Sequence, residues 1–362
     1  MQSNQNETRP LRQGFTLVEL LVVITIIGVL AALGTAAALN AFGRGKQVRV
    51  TLEMQQLANA IEQLKNEYGA YPPNVFPNDT ADNPLPLTAV EQARNANNVL
   101  LIMKKAAPRS TEFNTSGNQV QDNITTISFN GLSPAEALVF WLQGFSSDPQ
   151  RPLTGTDLQA TTIDDNGTNV NGVLTIDSFT PSFEFDETRL RLSRNESTGE
   201  RRFLTVHRED GSANGIELQI QLYEYLAPGT DEPYVYFDTS RETPQQVLNN
   251  WATTEFFYSE PNSGGVIFPL KKLKENAPTT LPSPQIQFVE YVNQGKFQLL
   301  HSGLDNAWGN FGFASDGGVD GRLTMDNADL VPALLYPDGP FLGDIADTLG
   351  HFYGGELADE SE

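Results

Sequence analysis

The 362 residues include 39% hydrophobic and 9% aromatic side chains, enough to bury one or two sizeable cores. Forty-five acidic residues against 23 basic leave a formal charge of −22, which argues against a nucleic-acid partner because phosphate binding needs clustered Lys and Arg. With no cysteine, disulfides, zinc–thiolate sites, iron–sulfur clusters and thiol catalysis are excluded.

The first element is apolar. Between Leu20 and Leu39 the only polar side chains are Thr25 and Thr35, and this run matches the roughly 20 residues that cross a hydrocarbon core of about 30 Å. A single membrane-spanning helix is predicted. A secretory signal peptide is the alternative, with "AALGTAA" imitating its cleavage site, but its apolar region would stop after about 7–15 residues. Glu19 stands at the start of the run. A carboxylate at the centre of a membrane helix costs about 2.5–3.5 kcal/mol on insertion scales, and one near the end escapes part of that cost by snorkelling.

Beyond the glycines at 43 and 45, which loosen the helix, Met54, Leu57, Ala58, Ile61, Leu64 and Tyr68 recur at spacings of three and four and form an apolar stripe. The helix is predicted to end at Gly69, a residue suited to a C-cap, before Pro72 and Pro73. Continuous from Phe15 to Tyr68, it would be about 81 Å long at 1.5 Å per residue. Pro72 to Leu87, rich in Pro and Asn, reads as an extended surface loop.

A second helix is expected from Thr88, with Glu91 completing a capping box, to about Ala107. A third follows Ser133-Pro134-Ala135-Glu136, which combines an N-cap, a first-turn proline and a capping glutamate. The polar stretches Ser110–Asn123 and Thr154–Gly172 read as loops or irregular connections. Strand patterns then dominate: "RRFLTVH", a turn, and "IELQIQLYEYL" form a hairpin with one face towards solvent, followed by "PYVYFDTS", "FFYSE", "GVIFPL", "IQFVEYV" and "KFQLLHSG". The expected fold class is α+β, a long N-terminal membrane-spanning helix followed by a large globular domain with an antiparallel β-sheet and helices at one side.

The residues that begin the long helix carry a more specific pattern. Arg9 and Arg12 form a short basic leader, and Arg12-Gln13-Gly14-Phe15-Thr16-Leu17-Val18-Glu19-Leu20-Leu21 closely resembles the cleavage and methylation signal of type IV pilins and type II secretion pseudopilins. The resemblance implies a pilin-like fold and a prepilin peptidase that cuts after Gly14 and methylates the new N-terminal Phe15. It also implies that Glu19 forms an assembly salt bridge with the amine of an adjacent subunit. Phe15 and Glu19 lie four apart and share a helix face, so pairing within one chain is the other possibility.

Five segments follow from this: a leader (1–14), a transmembrane and assembly helix (15–42), its amphipathic continuation (43–71), a globular periplasmic domain (72–350) and an acidic C-terminal tail (351–362). The positive-inside rule does not orient the helix, since Arg9 and Arg12 face Arg44, Lys46 and Arg49 at the other end. The resemblance places the leader in the cytoplasm and the large domain on the periplasmic side of the inner membrane, as a single-pass protein. It implies a structural subunit and not an enzyme: a pseudopilin that assembles with other pilin-like subunits on a secretion platform into a periplasmic filament for protein secretion. Its size is similar to that of the large minor pseudopilin at a filament tip, although that subunit typically lacks the glutamate supplied here by Glu19. The alternative function is a membrane-anchored binding module or enzyme that uses this signal for export.

No enzyme motif competes. The three histidines, His207, His301 and His351, lie far apart, and there is no H-E-x-x-H, P-loop, G-x-S-x-G or strand-following G-x-G-x-x-G. Carboxylate pairs such as Asp164-Asp165 or Glu184 with Asp186 are expected by chance in so acidic a chain. Asn-x-Ser/Thr occurs at several positions, among them Asn114, Asn123, Asn166 and Asn195.

No cofactor is required, but the loop after "KFQLLHSG" resembles the C-terminal loop of pseudopilins, where carboxylates and carbonyls hold calcium. Asp305, Asp316, Asp320, Asp326 and Asp329 are its candidate ligands. Position 12 counted from Asp316 is Asn327, so the spacing is not that of an EF-hand. Asp and Gly equally make turns. Calcium titration followed by thermal unfolding separates the two readings: a bound ion raises the melting temperature with calcium concentration, and turns alone leave it unchanged.

Overall fold

The computed structural model describes residues 17–74, 89–113, 123, 132–155, 161–163, 169–171, 173–195, 199–208, 216–240, 258–259, 265–278, 288–308, 324–326, 329–331, 335–337, 341, 345–353 and 356–357. The architecture is α+β. Its first helix, α1, runs Leu17–Tyr68 without a break at Gly43 or Gly45, and the chain divides into two compact units, Met1–Val48 and Arg49–Glu362.

Within the second unit, α1 buries the stripe expected from its spacing: Met54, Leu57, Ala58, Ile61 and Leu64 are in the core, joined by Val50. Tyr68 is half-buried at its margin. The helix stops at Gly69, whose φ of +83° is left-handed and whose N–H returns to the Lys65 carbonyl at 2.6 Å. Pro72 to Asn74 depart from the surface loop expected there, because all three are buried. Their polar groups serve the core: the Pro72 carbonyl accepts the Tyr236 hydroxyl at 2.7 Å, the Pro73 carbonyl accepts the Trp141 indole N–H at 2.8 Å, and Asn74 Oδ1 accepts the Asp238 N–H at 2.9 Å. The remainder of that loop lies outside the described residues.

Helix α2 spans Ala89–Ala106 and buries Val99, Ile102 and Met103; the Thr88 of its expected capping box lies outside the described residues. Helix α3, Pro134–Leu142, is buried at every position. Ser133 caps it reciprocally with Glu136: the Glu136 N–H donates to Ser133 Oγ at 3.2 Å and the Ser133 N–H donates to Glu136 Oε2 at 2.7 Å. At its end Gly144 has φ +77°, and a Cβ there would lie 1.9 Å from the Thr180 carbonyl oxygen. Only glycine fits both constraints.

The antiparallel pairing expected for the globular domain is present, and the described strands form seven sheets of two or three strands. The expected hairpin is present, with Phe203–Arg208 antiparallel to Ile216–Gln221, and its first strand alternates half-buried and buried positions. Val173–Leu174 adds to that sheet in parallel. The strands are mostly two or three residues long, too short to build a wide ladder, and side chains take over some of the pairing. Asn123 does so at the strand Phe203–Arg208, donating to the His207 carbonyl at 2.8 Å and accepting the His207 N–H at 2.5 Å. With its amide buried in this way, Asn123 is closed to glycosylation in the folded protein.

The core is organised by a three-stranded sheet ordered Leu349–Gly350, Gln298–His301 and Val235–Phe237, all antiparallel and buried. Successive side chains in a strand point to opposite faces. Tyr234, Tyr236, Phe297 and Leu299 therefore enter the cluster shared with α1 and α3, and Val235, Phe237 and Leu300 enter a second cluster with Trp308, Phe268 and Tyr353. Gln298 is the polar exception. Its Nε2 donates to the Leu270 and Val292 carbonyls, each at 2.8 Å, and its Oε1 accepts the Leu270 N–H at 2.7 Å. Packing continues past residue 350: His351 stacks on Phe297 at 4.6 Å, and the Leu357 N–H donates to the Thr348 carbonyl at 2.9 Å.

Glu53 stands on the buried side of α1, and its carboxylate gathers four donors. Arg189 pairs with it through both terminal nitrogens, Nη1 at 2.7 Å, and the hydroxyls of Tyr225 and Tyr234 donate at 2.8 and 2.9 Å. Asp186 accepts from Arg189 Nε at 3.2 Å. The Glu53 bond raises the Arg189 pKa, and burial, ahead of the Glu53 charge and hydrogen bond, raises those of both tyrosines. Glu53→Ala is expected to lower stability by about 3 kcal/mol, as breaking a mostly buried pair does, with a smaller loss for Glu53→Gln. Denaturant unfolding of the detergent-solubilised chain measures both.

Candidate membrane and assembly helix

The first unit presents α1 as an apolar rod. Leu17, Val18, Leu20, Ile24, Ile27, Leu30, Leu33 and Phe42 are all exposed, on every side of the helix. A helix apolar all round is the pattern of a membrane span or a bundle core, not of a solvated surface. Leu17–Thr35 is long and apolar enough to cross a bilayer. Its two hydroxyls are satisfied internally, Thr25 donating to the Val22 carbonyl and Thr35 to the Ala31 carbonyl, each at 2.8 Å. Neither asks for a partner from hydrocarbon.

Glu19 lies in the first turn and is exposed. Gly14 and Phe15, the expected cleavage point, lie outside the described residues.

The candidate metal ligands are only partly described. Asp305 is exposed and accepts the Ala307 N–H at 3.0 Å. Asp326 and Asp329 are cross-strand partners at the end of a short antiparallel pair, and Asp316 and Asp320 lie outside the described residues. Among the described residues no group of three or more acidic or histidine side chains is placed to hold a metal ion.

Beside Asp305 stands a carboxylate that is not among the candidates from sequence: the Asp305 N–H donates to Asp347 at 3.4 Å. Asp347 Oδ2 accepts the Leu304 N–H at 2.9 Å, and Gly303, at φ +93°, leaves it room: a Cβ there would lie 2.1 Å from that oxygen. Burial, with the charges of Asp305 and Glu356, pushes the Asp347 pKa up to about 6.

The other polar groups singled out from sequence have structural roles. Asp186 caps the short helix Glu187–Arg189, accepting the Thr188 N–H at 3.1 Å. His301 ends its strand in full burial, where its Nδ1 accepts the Gly303 N–H at 3.1 Å and its Nε2 faces the Glu232 carbonyl at 3.3 Å. His351 Nδ1 accepts the Leu299 N–H at 3.1 Å. Burial holds both imidazoles neutral, with pKa values lowered to about 4.

The buried carboxylates are likewise committed. Glu112 accepts the Leu153 and Thr154 N–H groups at 2.8 and 3.0 Å, Glu136 pairs with Arg202 at 3.0 Å, and Glu224 pairs with Arg191 at 2.7 Å. The sequence signal of Glu53 is a charge directly beside the apolar positions Val50, Met54 and Leu57.

Residues 9–35 match the model of the prokaryotic N-terminal methylation motif. The chain is similar to the type IV major fimbrial protein FimA of Dichelobacter nodosus, 43% identical over 54 residues, which cover 15% of this chain and 35% of that protein. A probable minor fimbrial protein of the same organism is 43% identical over 54 residues, 15% of this chain and 34% of that protein. The match thus spans about a third of the length of these curated relatives. No solved structure matches the chain. The N-terminal segment is type IV pilin-like.

The Asp347 site yields a pH test. Its folded pKa of about 6 lies above the ordinary carboxylate value, so its contribution to stability is intact below about pH 4 and is lost as pH rises through about 6. Asp347→Asn is expected to raise the melting temperature by a few degrees at pH 7.5 and to leave it unchanged at pH 4.

Proposed function

We propose that the chain is a pilin-like structural subunit, and specifically a type II secretion pseudopilin, held in the inner membrane by α1 with its large domain on the periplasmic side. One observation carries this reading: the methylation motif over residues 9–35 takes in the part of α1, Leu17–Thr35, that is apolar and exposed all round. The motif alone supports processing, and the exposed helix supports a use for it, since such a surface is stable only in lipid or against other helices.

In this reading a prepilin peptidase cuts between Gly14 and Phe15, removes the basic leader and methylates the new amine. An α-amine has a reference pKa of about 7.7–8.0 and is largely cationic at neutral pH. Glu19 provides its counter-charge. In a helix bundle of low dielectric an unpaired charge is costly, so pairing the Glu19 of one subunit with the Phe15 amine of the next fixes the axial register between them. Apolar contacts drive the assembly and this pair sets its offset. Other pilin-like subunits and a secretion platform are the partners this requires. No step calls for catalysis, and the subunit acts by assembling.

N-terminal mass determination on the membrane-extracted protein is expected to find N-methylated Phe15; an intact Met1 or a cut near Ala38 would overturn the processing. Glu19→Ala is expected to abolish co-assembly in a cross-linking assay while leaving membrane insertion intact. Unchanged cross-linking would remove the register role.

A further inference from the structure

We infer that Arg44 and Lys46 form a collar that binds the headgroups of anionic phospholipids where α1 leaves the membrane. This rests on the membrane-spanning part of the proposed function and goes beyond it by naming what the end of the span contacts.

No acidic residue occurs between Glu19 and Glu53, whereas Arg44, Lys46 and Arg49 all fall there, in a chain of net charge −22. The positions three and four residues either side of Arg44 are Asn40, Ala41, Gln47 and Val48, and those around Lys46 are Phe42, Gly43, Arg49 and Val50. Neither cation has a carboxylate at helical pairing distance along its own helix, and Lys46 faces a like charge at Arg49. Such an arrangement is unfavourable until an external anion enters it.

Geometry says what kind of anion. The residues belong to the unbroken helix α1, and both are exposed. Two positions apart on a helix, their side chains project about 160° from one another. A protein docking on one side would meet one cation and miss the other. A headgroup layer surrounds the helix and meets both.

Depth and direction agree. With the apolar run ending at Leu39, the Arg44 Cα lies about 7.5 Å further along the axis, at the level of the headgroups that flank a core of about 30 Å. Cα–Cβ bonds in an α-helix tilt towards its N-terminus, so both side chains lean back towards the apolar run, the direction in which snorkelling cations reach phosphate. Chain neighbours aside, a Cβ at Gly43 or Gly45 would meet nothing within 4 Å, so no other described part of the protein packs against these two positions.

The test uses the full-length chain in vesicles of equal phosphatidylglycerol and phosphatidylcholine, with spin-labelled lipids reporting which species contacts the protein. The wild type is expected to prefer phosphatidylglycerol, by about fivefold for each cation, and the preference is expected to weaken at high salt. Arg44→Gln with Lys46→Gln is expected to abolish it while the protein still floats with the vesicles. Equal preference in wild type and double variant, or none in either, with flotation intact, would overturn the collar and leave the membrane-spanning reading standing. A wild-type chain that does not float would overturn that reading itself.

Discussion

A carboxylate among the apolar residues of a helix must be compensated where it is buried, and Glu53 meets that requirement with a guanidinium and two phenol hydroxyls. The partners come from positions 136, 172 and 181 residues further along the chain. The Arg189 guanidinium lies 4.5 Å from the centre of the Tyr225 ring, and Tyr225 and Tyr234 pack beside one another with ring centres 6.1 Å apart. One interaction thus joins the amphipathic part of α1 to the short helix Glu187–Arg189, to the strand Tyr223–Tyr225 and to Tyr234 just before the strand Val235–Phe237, and fixes the rotation of the helix against them. A rotated helix would leave both Glu53 and Arg189 without their partners, at a cost larger than the gain from repacking leucines.

Around this anchor the globular unit solves a second problem, that of short strands. Sheets of two or three strands have many edges, and an unpaired edge invites association with other chains. Here the best-buried strands, Gln298–His301 and Val235–Phe237, divide their alternate side chains between two clusters, so one small sheet supports two cores. Polar side chains complete ladders that the backbone leaves short, Gln298 within the core and Asn123 at an edge. Burial of carboxylates against arginines follows the same logic: Glu136, Glu224 and Glu53 each hold together segments distant in sequence.

The local parts of this structure were legible in advance, for reasons tied to particular residues. Ser133 and Glu136 announce the start of α3 because a capping box involves only neighbours three apart. The α1 stripe and its end at Gly69 follow from helical periodicity and from glycine's access to positive φ. Strand patterns located the hairpin but not the size of the sheets, since pairing depends on where polar segments interrupt the chain. The burial of Pro72 to Asn74 was not legible either. Proline and asparagine signal the end of a helix, and nothing local says that their carbonyls will meet the hydroxyl of Tyr236 and the indole of Trp141.

The same division holds for function. The sequence by itself determined the character of the first helix: the motif at residues 9–35, the apolar run, and a lone glutamate followed, beyond the run, by clustered cations are properties of consecutive residues and need no fold to be read. Only the tertiary structure decided which carboxylates are spent in the core, that His301 and His351 are buried and neutral, and that Asp347 crosses to the Gly303 turn. The physical reason is range. Hydropathy, helical period and capping act over a few residues, whereas burial and charge pairing depend on groups brought together from distant parts of the chain.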